Sequence, residues 1–178
     1  AVRYFLLREV PFGSDGNFTE EALIARTNGD LANVLGNLVN RTIGMCKKYF
    51  NSVVPTQNEL NELDQALIDY VLELPNIIEE NVNKLDIPAA LEAIIELFRK
   101  CNKYIDETMP WVLAKEEDKT RLETVIYNLL ASIKHGAVAL KPFLPTTATS
   151  IFEQLNIIDE NINEFATLES GKTINEAK

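Results

Sequence analysis

The 178 residues contain one histidine, one tryptophan and two cysteines, and each scarcity closes off a chemistry. A nucleophile needs a base within hydrogen-bond reach, and the only imidazole is His135, flanked by Lys134 and Gly136. It reads as a structural or merely exposed side chain. Cys46 and Cys101 stand far apart, with no CxxC pair and no histidine near either, so neither a disulfide framework nor a zinc site is implied. Both read as thiols packed between helices. There is no GxGxxG and no GxxxxGK[ST], and Asp15-Gly16 lacks the further carboxylates of a calcium loop. No catalytic residue and no metal ligand set is therefore named. No apolar run approaches the ~18 residues of a membrane span, and the N-terminus lacks a signal peptide's basic and apolar regions. A cytoplasmic chain without a membrane partner is the expectation.

What is present is ordinary globular material: 46% hydrophobic residues and 25% charged, enough for one core. Basic residues number 17 and acidic residues 27, a net charge of −10. That balance argues against an indiscriminate nucleic-acid or anionic-membrane binder, so any nucleic acid must be met locally. The charge is also uneven: residues 1–55 sum to +1 and the remainder to −11.

Helical periodicity dominates the chain. Residues 2–10 are dense in core types and no methionine opens them, so the chain is expected to begin inside an element, as a fragment whose first 18 residues lean on absent neighbours. Pro11 to Asn17 are turn formers, after which Thr19 offers an N-cap and Glu20 and Glu21 acids for a first turn; a long helix is expected there. At 100° per residue, Leu31, Val34, Leu35, Leu38, Thr42 and Met45 make one stripe, and Asn33, Asn37, Asn40 and Arg41 a separate polar face. Gly36, about 1 kcal/mol worse than Ala inside a helix, reads as a close helix crossing rather than as clearance for a ligand.

Residues 57–83 repeat the pattern through Leu60, Leu63, Leu67, Tyr70 and Val71, with Pro75 as an expected kink or break. Asp86 and Pro88 begin the next helix, in which Leu91, Ile94, Ile95, Phe98, Asn102 and Ile105 share a face. An amide left unbonded in such a stripe costs about 1 to 3 kcal/mol, so Asn102 is assigned a structural role, tying down a neighbouring helix or the Trp111 loop. Met109-Pro110-Trp111 ends that helix, Glu116 to Asp118 form an acidic turn, and Leu122, Val125, Ile126, Leu129, Ile133 and Ala137 mark another. Leu140 to Pro145 read as a stop followed by a start, with Thr146 capping a short helix to Leu155. Periodicity fades from Asn156, and no useful strand alternation occurs, so the fold expected is all-α, an antiparallel helical bundle.

The first long helix is the surface least repulsive to phosphate, helped by Arg99, Lys100, Lys103 and Lys115 if the third helix lies beside it. Readers of single-stranded RNA need aromatic planes for stacking and amides or guanidiniums for base edges. Asn37, Arg41 and Trp111 form such a set, and Asn37 and Arg41 are adjacent on one helix face.

Longer motifs then become recognisable: Val2-Arg3-Tyr4-Phe5-Leu6-Leu7-Arg8, the turn Phe12-Gly13-x-Asp15-Gly16-x-Phe18, Leu35-Gly36-Asn37-Leu38-x-x-Arg41, Asn102-Lys103-Tyr104-x-Asp106-x-x-x-Pro110-Trp111-x-Leu113-Ala114-Lys115, and Lys141-Pro142-Phe143-Leu144-Pro145. Over residues 1–155 the chain resembles the C-terminal part of bacterial methionyl-tRNA synthetases, class I aminoacyl-tRNA synthetases. The resemblance implies an end of the stem-contact element at 1–18, an anticodon-binding helical bundle at 19–155 and an irregular tail at 156–178. It implies that Asn37 and Arg41 contact anticodon bases and that Trp111 stacks in the anticodon loop; Asn33, Asn40, Lys47, Lys48, Pro110 and Lys115 are candidates for further tRNA contacts on the residues' own polarity and placement.

The implied function is recognition of the CAU anticodon of methionine tRNA, and the implied partners are that tRNA and the family's own catalytic domain, with no DNA. The HIGH and KMSKS signatures and the zinc knuckle are missing here, so ATP, magnesium and zinc would belong to the larger enzyme, and this stretch is expected to be inactive in ligation alone. Asp106 reads as a capping or solvated carboxylate, or else as a charge that repels wrong RNAs. An acidic scaffold that binds proteins and reads no RNA is the competing expectation.

Overall fold

The computed structural model describes residues 1–13, 15–117, 119–158 and 160–175. Ser14 of the first turn cluster and Asp118 of the acidic turn thus lie outside the described residues. The chain is all-α: α1 (Val2–Glu9), α2 (Glu20–Arg26), a π-helical segment (Thr27–Gly36), α3 (Asn37–Phe50), α4 (Glu62–Asn83), α5 (Ile87–Thr108), α6 (Pro110–Leu113), α7 (Thr120–Leu140) and α8 (Pro145–Leu155). Among the described residues the only β pairing is a single bridge between Val53 and Thr173. No described helix is long and apolar enough to cross a membrane.

The long first helix forms as α2, the π segment and α3 run on end to end. Thr19 caps it, its hydroxyl accepting from the Ala22 N–H at 3.1 Å. The π turns widen its middle, and Asn37 N–H reaches back to the Ala32 carbonyl. Leu35, Leu38 and Thr42 of the expected stripe are buried and are joined by Val39, Ile43 and Cys46, whereas Leu31, Val34 and Met45 are only half-buried against the core, so the inward face is shifted from the expected stripe. Gly36 does not mark a helix crossing: a Cβ there would meet the Leu31 carbonyl of its own π turn at 3.2 Å. The close crossing is at Gly136 of α7, where a Cβ would stand 2.3 Å from Cε1 of Phe98 on α5.

Three boundaries differ from the pattern. Leu60 and Leu63 are exposed, because α4 starts only at Glu62 with a capping box: Asn61 accepts from Asp64 N–H at 3.1 Å and Asp64 accepts from Asn61 N–H at 2.8 Å. Pro75 does not break α4, which continues to Asn83 with Leu67, Ile68, Val71 and Leu74 buried and Ile77 and Ile78 packed against the core beyond it. Thr146 does not cap α8; Pro145 is its first residue, where a missing N–H costs nothing, and Leu144 holds the cap position.

Asp86 caps α5 as expected, accepting from Ala89 N–H at 3.0 Å. The centre of the bundle is α5 against α7; α5 also packs on α1, the π segment, α3 and α4, and α7 on α3, α4, α6 and α8. Residues 122–137 of α7 are buried except Glu123, because the segment after α8 folds back over it. Tyr127 donates to the Leu168 carbonyl at 3.0 Å, Lys134 bonds Thr167, and His135 Nε2 lies 3.1 Å from the Glu164 carbonyl with its ring stacked on Phe165. This strap ends beside α3, where Val54 N–H donates to Lys172 and Gly171 N–H to Val54, both at 2.8 Å.

On α1, Tyr4 is buried in the bundle core, Phe5 is buried edge-on against Phe18, and Arg3 donates to the Phe143 carbonyl at 2.5 Å. Val2, Leu6, Phe12 and Phe18 are exposed. The opening helix is thus held on one side and bare on the other.

Candidate nucleic-acid interface

The polar face of the first helix is built by what anchors the opposite face. Asp30, in the π segment, is buried and accepts from Tyr4 at 2.7 Å, Arg99 at 3.2 Å and Arg26 at 3.3 Å. Buried charge is tolerable only when paired and hydrogen-bonded, and here the pairing fastens the π segment to α1 and α5. One turn on, the Asn102 amide donates to the Val34 carbonyl at 3.1 Å and to Phe98 at 3.0 Å. With that side fixed, Asn33, Asn37, Asn40 and Arg41 all face solvent.

Arg41 then meets α5, its Nη2 lying 3.4 Å from Asp106 Oδ1. Thr108 and Met109 follow within one turn; Met109 has φ +45°, a left-handed cap that turns the chain into α6. Trp111 there is 44% exposed, with Met109 and Val112 exposed beside it. Arg41 and Asp106 thus meet in the last turn of α5, just ahead of the exposed Trp111 corner, with Asn37 a turn back along α3. Pro110 does not share that exposure: as the first residue of α6 it is buried.

The basic residues divide. Lys47, Lys48 and Lys115 are exposed, Lys47 and Lys48 in the last turn of α3. Arg99 does not face phosphate, because its guanidinium bonds Asp30, Glu92 at 2.7 Å and Glu96 at 3.3 Å. Lys100 lies over the Tyr70 ring, 4.8 Å from its centroid, and Lys103 pairs with Glu107 at 3.3 Å, both toward α4. Glu62, Asp69, Glu73, Glu79 and Glu80 of α4 are exposed, so that side repels a polyanion and leaves α3 and α6 as the open approach.

Two features of the site were not anticipated: the partnership of Asp106 with Arg41, and the exposed apolar neighbours of Trp111. The second was visible as the run Met109-Pro110-Trp111-Val112 at a helix end; the first joins residues on different helices and has no local signal. Among the described residues no three His, Cys, Asp or Glu side chains are placed to hold a metal, and burial pushes the Cys46 and Cys101 thiols up to about 11 and about 12.

Comparison with known proteins defines the class first. A family model described as class I (M) tRNA synthetases matches residues 1–43, and one described as the anticodon-binding domain of methionyl tRNA ligase matches residues 54–176. The methionine–tRNA ligase of Caldanaerobacter subterraneus is 51% identical over 172 residues, covering 96% of this chain and 27% of that protein. That of Clostridium acetobutylicum is 48% identical over 181 residues, covering 99% and 28%. The apo crystal structure of Mycobacterium tuberculosis methionyl-tRNA synthetase superposes with a TM-score of 0.88 at 33% identity, over 99% of this chain and 36% of that one. The chain belongs to the methionyl-tRNA ligase family and carries its anticodon-binding domain. It spans about a quarter of the length of these curated relatives.

Proposed function

We propose that this chain reads the CAU anticodon of methionine tRNA, in the service of a larger enzyme that charges that tRNA. The observation that carries the reading is the approach of Arg41 to Asp106, which brings the polar face of α3 to the last turn of α5, just before the exposed Trp111. Trp111 offers a plane for an unstacked base, Asn37 can donate to and accept from a base edge, and Arg41 only donates. Lys47, Lys48, Lys115, Asn33 and Asn40 supply phosphate and sugar contacts that position the loop without reading it.

In this assignment residues 1–18 close the stem-contact element, 19–155 form the reading bundle and 156–178 are the tail. The partners are the tRNA and the enzyme's own catalytic part, not DNA. ATP, magnesium and zinc are assigned to that catalytic part. The test is titration of a CAU stem-loop and a loop with a changed anticodon at several salt concentrations. Preferential, salt-dependent binding of CAU is expected; equal or absent binding of both would leave an acidic docking scaffold.

A further inference from the structure

Asp64 lies at the start of α4 with its side chain wholly buried. Its carboxylate receives both arms of Arg121, at 2.6 and 3.0 Å, and the hydroxyl of Tyr104. The capping box fixes its backbone, as Oδ2 also accepts from Asn61 N–H. Tyr104 is held in turn by Asn128 Nδ2 at 3.3 Å, and Asn128 Oδ1 accepts from Gln57 at 2.8 Å.

The two residues that share this carboxylate flank one excursion of the chain. Tyr104 is a turn before the end of α5, and its carbonyl accepts from Thr108 at 2.6 Å just ahead of the left-handed Met109. Arg121 stands in the first turn of α7, and Lys119, at the cap of that helix, donates to the Ala114 carbonyl behind α6 at 2.6 Å. Asp106 and Trp111 thus lie on a stretch of chain that departs beside Tyr104 and rejoins at Arg121, at one carboxylate. α6 is four residues long, too short to be stable by itself, so its orientation depends on its packing against α7, with Pro110 buried and Leu113 against the core, and on how firmly the neck of this excursion is closed.

We propose that Asp64 is the positioning residue for Trp111, clamping through Tyr104 and Arg121 both ends of the segment that carries the stacking aromatic. The proposal rests on the reading of Trp111 given above. Buried ion pairs add little net stability over well-packed apolar residues, and here the effect is one of placement. Burial alone would raise the Asp64 carboxyl, but the hydrogen bonds from Arg121 and Tyr104 outweigh it and hold the group below the usual carboxylate range. The clamp is therefore closed at neutral pH.

The experiment uses the whole chain with Tyr104→Phe, Asp64→Asn and, as a control, the core substitution Val71→Ala, all studied well below their melting midpoints. Acrylamide quenching of Trp111, the sole tryptophan, reports its freedom without RNA, and titration with a CAU stem-loop reports reading. Tyr104→Phe is expected to leave helical circular dichroism unchanged, to raise the quenching constant about twofold and to weaken stem-loop binding about tenfold. Asp64→Asn should do at least as much; if it does not fold, Tyr104→Phe decides, since it removes one oxygen and keeps the ring.

In a Trp111→Ala background Tyr104→Phe should not weaken binding further. Unchanged quenching and affinity in Tyr104→Phe would overturn the proposal, as would equal changes in Val71→Ala. If Trp111→Ala alone leaves stem-loop binding intact, the RNA reading fails, and the quenching comparison still decides the clamp.

Discussion

Arg41 on α3 and Asp106 on α5 form an ion pair at 3.4 Å with side chains 43% and 68% exposed. So open a pair contributes at most about 1 kcal/mol to stability. It aims the guanidinium without locking it, and a base edge can take Arg41 over at small cost.

Arg41→Ala and Asn37→Ala should reduce discrimination between CAU and altered anticodons. Lys47→Ala and Lys48→Ala should weaken all loops about equally and lower the slope of log affinity against log salt by about 1 each. Paired titrations at several salt concentrations separate the two effects. Unchanged anticodon preference in Arg41→Ala would contradict the division between base and phosphate contacts.

Trp111→Ala should shift the melting temperature little, because the ring is 44% exposed. It should remove about 1 to 3 kcal/mol of stem-loop binding. Trp111 emission should be red-shifted in the free protein and respond to a CAU loop more than to a scrambled one.

Gly136→Ala should destabilise the bundle by about 1 to 3 kcal/mol, since the new methyl would sit 2.3 Å from the buried Phe98 ring and neither helix has room to retreat. Urea unfolding should show a lower midpoint. In a Phe98→Leu background the same substitution should cost less.

His135 gives the fold a dependence on mild acid. Burial lowers its pKa below the ordinary 6.5, despite carbonyls of Ala131 and Glu164 at 2.8 and 3.1 Å. The unfolded chain therefore takes up the proton first. Stability should be flat above about pH 7 and fall as pH drops below 6.5, by up to ~1.4 kcal/mol per unit. Urea midpoints across this range should show the slope in the parent chain and lose it in His135→Gln.

Short-range signals were legible. Thr19 and Asp86 cap helices because a cap needs only a side chain and an amide three residues on, and all six apolar positions assigned to α7 are buried. The capping box at Asn61 and Asp64 was equally local, but the leucine spacing through Leu60 and Leu63 obscured it. Pro75 misled for a different reason: packed side chains on both sides of it keep α4 continuous, and that support comes from other helices. The π segment was hidden likewise, its anchor Asp30 being satisfied by Tyr4 and Arg99 from α1 and α5. At the site, the polar face of α3 could be read from spacing, whereas its junction with Asp106 could not.

The strap that seals α7 bears on how this domain can diverge. A helix enclosed on every side has almost no position at which a new side chain is free of consequence, so a saturation library should find α7 the least permissive stretch. The outer face of α4, already lined with exposed charge, should accept most substitutions. Under the proposed reading, variation that retunes RNA preference would thereby be channelled to α3 and the α5–α6 corner, the places where a side chain can change without dislodging its neighbours.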